Sequence, residues 1–162
     1  MLSKKMLDAL NAQINAELYS SYLYLSMAAC FQSLNLPGAA KWMKVQAREE
    51  NTHAMKIFQY VEDRLSPVTL AAIGAPPTKW KSALAAFQDA FRHEQKVTGM
   101  IHDLVALARA EKDPATEVFL QWFVNEQVEE EASADQIVQQ LKMAGESPSV
   151  LLMLDQVLGQ RQ

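Results

Sequence analysis

An all-α four-helix bundle, with a long crossover between its second and third helices and a short C-terminal fifth helix, is the fold this sequence predicts. Three observations carry that expectation. Apolar residues recur at alternating three- and four-residue spacing through four long segments. Glycine (5) and proline (6) are scarce, and the proline-bearing breaks fall between those segments. The links are unequal: two are short, and one is long and carries three prolines.

Ser3 is a fitting N-cap for a first helix that runs to about Gln32 and stops at "SLNLPG". A second helix runs from near Gly38 to about Arg64. The stretch "LSPVTLAAIGAPPTKW" that follows has no clear helical period. The third helix is expected from about Lys79 to Ala110, and "EKDP" ends it. Asp113 then caps a fourth helix with Pro114 at its first position. That helix runs to about Ala144, where Gly145 suits a C-terminal cap. Ser147 and Pro148 repeat the cap-plus-proline signal and open "SVLLMLDQVLG".

Link length sets the topology. Each short link makes an antiparallel hairpin. The long link can run the length of a bundle, because extended chain covers up to about 3.3–3.6 Å per residue. One domain over 1–162 is expected, its bundle spanning about 4–144 and its fifth helix about 147–158. The fifth helix is apolar nearly all round and too short to complete the bundle, so contact with another subunit is its expected use.

Bulk properties narrow the function. A net charge of −4 with pI about 5.4 argues against a nucleic-acid partner. Cys30 is the single cysteine, which rules out an internal disulfide framework and a thiolate cluster and fits a reducing cytoplasm. No signal-peptide pattern opens the chain, and no apolar run reaches the roughly 20 residues that span a bilayer, so no membrane partner is expected.

The chemistry lies in the stripes that should be buried. Helix one presents Leu10, Ile14, Glu17, Ser21 and Tyr24; helix two presents Met43, Ala47, Glu50, His53 and Ile57. Helix three presents Phe91, Glu94, Thr98 and Ile101; helix four presents Phe123, Gln127, Glu130 and Ala134. Each stripe carries a glutamate near its middle. Glu17 and Glu50 are equidistant from a point within "SLNLPG", and Glu94 and Glu130 from one within "EKDP", so each pair is level across its hairpin.

A buried unpaired charge costs several kcal/mol, against a total stability of about 5–15 kcal/mol. No lysine or arginine lies in the four stripes. Two divalent cations would balance four carboxylates, and His53 adds a neutral nitrogen. Oxygen-rich ligation with one imidazole suits iron or manganese. Glu-x-x-His occurs on helix two, as Glu50 to His53, whereas helix four has Ser133 three residues after Glu130, so one metal is poorer in ligands. Taken alone, Glu126, Glu129 and Glu131 read as a solvated face, and Tyr24 equally as seam filler. Trp122 reads as packing, His93 and His102 as surface or structural residues, and Cys30 as an inert packing residue.

Glu17 with Tyr24, "EENTH", Glu94 and "NEQVEEE" together resemble a bacterial non-haem ferritin, over essentially the whole chain. The resemblance implies Glu17, Glu50 and His53 around a first iron, and Glu50, Glu94 and Glu130 around a second, with Glu50 bridging. It implies a third iron site from Glu49, Glu126, Glu129 and Glu130, a catalytic role for Gln127 beside the pair, and a redox-active Tyr24. It further implies Fe²⁺ oxidation by O₂ or H₂O₂ and ferric mineral stored in a homo-oligomeric shell of 24 subunits. Haem is not expected, because Asn51 stands where haem-binding relatives carry methionine and Ser133 where they carry histidine. "DRLSPV" departs from the Gly-Gly turn of many relatives.

Three other functions compete. A di-iron oxygenase would want a pocket for an organic substrate. A cytokine-type bundle would want a secretory signal and an acid-free core. A DNA-protecting mini-ferritin would place its metal between subunits and lack the fifth helix.

Overall fold

The computed structural model describes residues 1–162 and contains five helices: α1 Lys4–Ser33, α2 Pro37–Asp63, α3 Ala83–Ala110, α4 Pro114–Ala144 and α5 Pro148–Leu158. α1 packs along α2 and α3 along α4 as two hairpins, and α1 also lies against α3.

Local chemistry sets the helix starts. Ser3 accepts the Met6 N–H at 3.0 Å, Ser82 accepts from Ala85 at 3.1 Å, and Asp113 accepts from Thr116 at 3.2 Å. The third helix starts at Ala83, not Lys79. Lys79 to Lys81 belong to the crossover, because the capping serine at position 82 decides where the first orphan N–H groups find an acceptor. α2 has no cap of its own. Asp155 of α5 supplies it, accepting Gly38 N–H at 2.9 Å and Ala39 N–H at 2.7 Å. A Cβ at Gly38 would lie 1.7 Å from the Asp155 carbonyl oxygen, so this docking requires glycine.

α1, α2 and α3 all end in the same motif. Asn35, Leu65 and Lys112 take left-handed φ of 59°, 51° and 55°. In each case the following N–H reaches back to the third-last helical carbonyl, as in Leu36 to Phe31 (3.0 Å), Ser66 to Val61 (3.2 Å) and Asp113 to Ala108 (2.9 Å). Gly145 closes α4 at φ 56° and ψ −133°, a region that excludes a Cβ.

The crossover runs along α1. Ser66 receives the Leu2 N–H at 3.3 Å, Thr69 N–H meets Asn11 at 3.1 Å, Asn15 bonds the carbonyls of Ala71 and Ala72, and Ser26 bonds that of Pro77 at 2.5 Å. From Ser66 to Pro77, extended chain covers about 36 Å. The helix from Leu2 to Ser26 rises by the same amount, about 36 Å. This match carries the chain from one end of the bundle to the other, so that α3 starts beside the end of α1.

The apolar interior is divided. One cluster holds Tyr24, Met27, Phe31, Trp42, Met43, Phe87 and Leu141; the other holds Met6, Leu10, Ile14, Ile57, Ile101, Leu120 and Phe123. Between them lies a layer of buried polar side chains, among them Gln13, Glu17, Gln46, Glu50, His53, Glu94, Gln127 and Glu130. Leu158 of α5 is buried and Leu151 and Leu154 pack on the first cluster, but Leu152, Met153 and Val157 face outward. No helix is long and apolar enough to cross a membrane.

Candidate metal centre

The four stripe glutamates meet. Glu17, Glu50, Glu94 and Glu130 are 1 %, 1 %, 2 % and 6 % exposed, and His53 is 4 % exposed. Ligand atoms of Glu17, Glu50 and His53 lie within 4.8 Å of one another, and so do those of Glu50, Glu94 and Glu130. Glu50 belongs to both groups, which gives it a bridging position. The hairpin arithmetic explains the convergence: residues level across each turn face the same depth of the bundle, and the crossover aligns the two hairpins.

The electrostatics are those of anions short of a partner. Burial, helped by the Glu50 charge, raises Glu17 from 4.5 to about 8. Burial raises Glu94 to about 7, and burial with the Glu94 charge raises Glu130 to about 7. Glu50 is pushed well above its ordinary value by burial and then by Glu94 and Glu130. Oε2 of Glu17 is buried without a hydrogen-bond partner. Such an atom loses its solvation and gains nothing in return. Oxygen donors at this density, one imidazole and no buried cationic side chain among them fit a hard or borderline divalent cation.

Amides hold the carboxylates in place. Gln13 donates to Glu17 at 2.7 Å, and Gln46 donates to Glu50 at 2.9 Å and to Glu130 at 2.7 Å. Sequence reasoning missed both, although the signal was there. Each glutamine stands four residues before its glutamate, one turn along the same helical face. Gln127 donates to the Glu94 carboxylate and to its backbone carbonyl, both at 3.2 Å. The Tyr24 hydroxyl donates to Oε1 of Glu94, and burial followed by the Glu94 charge raises the phenol above its ordinary value.

The other predicted site residues separate. Glu126 comes together with His53 and Glu130, its own Oε1 3.8 Å from His53 Nε2. The Glu49 carboxylate is instead paired with Arg161, and Glu129 is exposed. Trp122 packs edge-on to His53, ring centres 5.4 Å apart, with Lys56 Nζ 4.1 Å from its ring centre. His93 is largely buried, with Nε2 2.7 Å from Ser20 Oγ and its ring edge-on to Tyr24. Burial, with nearby Lys96, lowers His93 to about 4, so it serves as a neutral support for the tyrosine. His102 is exposed and Cys30 is buried as a free thiol.

Known proteins agree with this architecture. A family model described as a ferritin-like domain matches residues 7–144. A bacterial non-heme ferritin from Bacteroides fragilis is 44 % identical over 99 % of this chain and 100 % of its own. One from Staphylococcus aureus is 38 % identical over 99 % and 97 %. An open-pore ferritin from the hyperthermophilic archaeon Archaeoglobus fulgidus superposes with a TM-score of 0.99 at 54 % identity, covering all of both chains.

Proposed function

Because this chain belongs to the ferritin family, we propose that its buried carboxylate layer is the dinuclear site at which it oxidises Fe²⁺ for storage. The protein is an iron-storage ferroxidase of a cage-forming family. The observation that carries the site is the pair of ligand groups sharing Glu50, beside a Glu17 oxygen that no protein atom satisfies.

Iron enters as substrate. Glu17, Glu50 and His53 hold one Fe²⁺, and Glu50, Glu94 and Glu130 hold the other. Carboxylate charge concentrated in a dry interior favours Fe³⁺ over Fe²⁺, so oxidation is helped electrostatically. Each Fe²⁺ gives one electron to O₂ or H₂O₂. Gln13, Gln46 and Gln127 keep the carboxylate oxygens pointed inward. Tyr24 is placed to pass its proton to Glu94 when it supplies a further electron. Glu126, with Glu130 shared, starts a third site that Glu49 and Glu129 would complete for outgoing iron.

The test is stopped-flow absorbance after mixing Fe²⁺ with O₂. Glu50→Ala and His53→Ala each slow the initial phase by at least about 10–100-fold, with helical content unchanged. Wild-type initial rates in both variants would overturn the assignment.

The homo-oligomer is proposed to be a shell of 24 subunits in the cytoplasm. The outward Leu152, Met153 and Val157 of α5 supply an apolar face for neighbouring copies. Twenty-four copies of an 18.1 kDa chain weigh about 430 kDa. Light scattering on purified protein should give that mass, with ferric iron co-eluting after loading. A monomer or dimer retaining two irons would instead favour the oxygenase reading. That alternative needs a substrate pocket beside the carboxylates, and a cavity of about 610 Å³ between α4 and α5 is lined by none of them.

A further inference from the structure

The segment that follows α5 reaches back to the carboxylate layer through one side chain. Arg161 donates from Nη1 to Gln46 Oε1 at 2.8 Å and from Nη2 to Glu49 Oε2. Its guanidinium carbon lies 4.2 Å from the Trp42 ring centre. The segment is anchored at two points before this contact. Asp155 caps α2, and Lys41 donates to the Gly159 carbonyl at 3.0 Å. Gln46 is fully engaged: its oxygen accepts from Arg161, and its nitrogen donates to Glu50 and Glu130.

Two consequences follow from the donor geometry of a guanidinium. It has only donors, so it fixes which end of the Gln46 amide faces outward and hence which end meets the carboxylates. It also already neutralises Glu49 through Nη2 while Nη1 holds Gln46, so its planar fork spans the two side chains at once. Glu126 stands with Glu130 and His53, whereas Glu49 is turned to the arginine.

We propose that Arg161 is a positioning residue acting as an internal counter-cation that holds Glu49 away from iron, so that the third site completes only when Arg161 lets go. The guanidinium and the departing iron compete for one carboxylate. This competition keeps outgoing iron weakly held and so favours its onward movement. The inference rests on the dinuclear reading above, and its test separates the two.

The assembled protein, stripped of metal, is titrated calorimetrically with Zn²⁺, a redox-inert stand-in for Fe²⁺. In the wild type, two Zn²⁺ per subunit bind first and a third binds more weakly. Arg161→Ala should tighten the third event by the order of tenfold relative to the first two. Arg161→Lys should give an intermediate gain, because a lysine keeps the charge but not the fork. Adding Glu49→Gln to Arg161→Ala should abolish the gain, which a merely structural role for Arg161 would not require. A third event of unchanged or weakened affinity in both Arg161→Ala and Arg161→Lys overturns the proposal. Absence of the first two events in every variant, wild type included, overturns the dinuclear reading and this inference with it.

Discussion

At the scale of single residues, the protein keeps acids where apolar side chains would stabilise it more. Glu17 at about 8 and Glu94 and Glu130 at about 7 stay protonated in the folded chain at pH values where the unfolded chain, at 4.5, has released its protons. Glu50 shifts the same way. The folded state therefore binds more protons between about pH 4.5 and 8, and stability falls as pH rises through that window. His93 works against this, since a neutral form held to about 4 loses stability as pH falls below 6.5. It is one group against four. Calorimetry on chelator-treated protein should show a lower Tm at pH 8 than at pH 5.5, and Zn²⁺ at pH 8 should restore it. A Tm that is flat or rising with pH, or unmoved by Zn²⁺, would contradict this. The four acids and His53 were legible in the sequence because they interrupt apolar stripes. Gln13 and Gln46 left only the weaker signal of their four-residue spacing from Glu17 and Glu50, and Arg161 left none. Glutamine on a helix carries no charge anomaly to notice, and Arg161 reaches the layer only because α5 folds back on α2.

At the scale of elements, helix type and order were legible from periodicity, and the ends to within about a residue everywhere except the start of the third helix. Ser3, Asp113 and Gly145 sat where their chemistry suggests. The third helix starts four residues later than periodicity alone suggests, at the cap supplied by Ser82. The donated cap of Asp155 on α2 was not legible, being a contact between residues 117 apart. The "DRLSPV" turn makes the left-handed cap with Leu65, and α3 does the same with Lys112. A left-handed residue with a Cβ is strained by roughly 1–2 kcal/mol. Part of the gain from relieving it is lost to the greater freedom of glycine in the unfolded chain. Leu65→Gly and Lys112→Gly should each stabilise by about 0.5–1 kcal/mol, read as a higher Tm of the assembled protein. A lower Tm in both would show that these turns gain more from the side chain than they lose to strain.

At the scale of the whole molecule, the crossover turns two hairpins into one site. Its length matches the rise of α1, so all four stripe acids arrive at one depth between two apolar clusters. That layer divides the core, and once its acids lose their protons bound cations are what offset the buried charge. The outward face of α5 belongs to the same scale, since it is of use only in an assembly. The direct test is anomalous diffraction from crystals soaked in Fe²⁺ without oxygen, or in Zn²⁺. Two peaks about 3.5–4 Å apart, both within bonding distance of the Glu50 carboxylate, are the predicted result. Metal found only on the outer surface, with no peak among Glu17, Glu50, His53, Glu94 and Glu130, would contradict it.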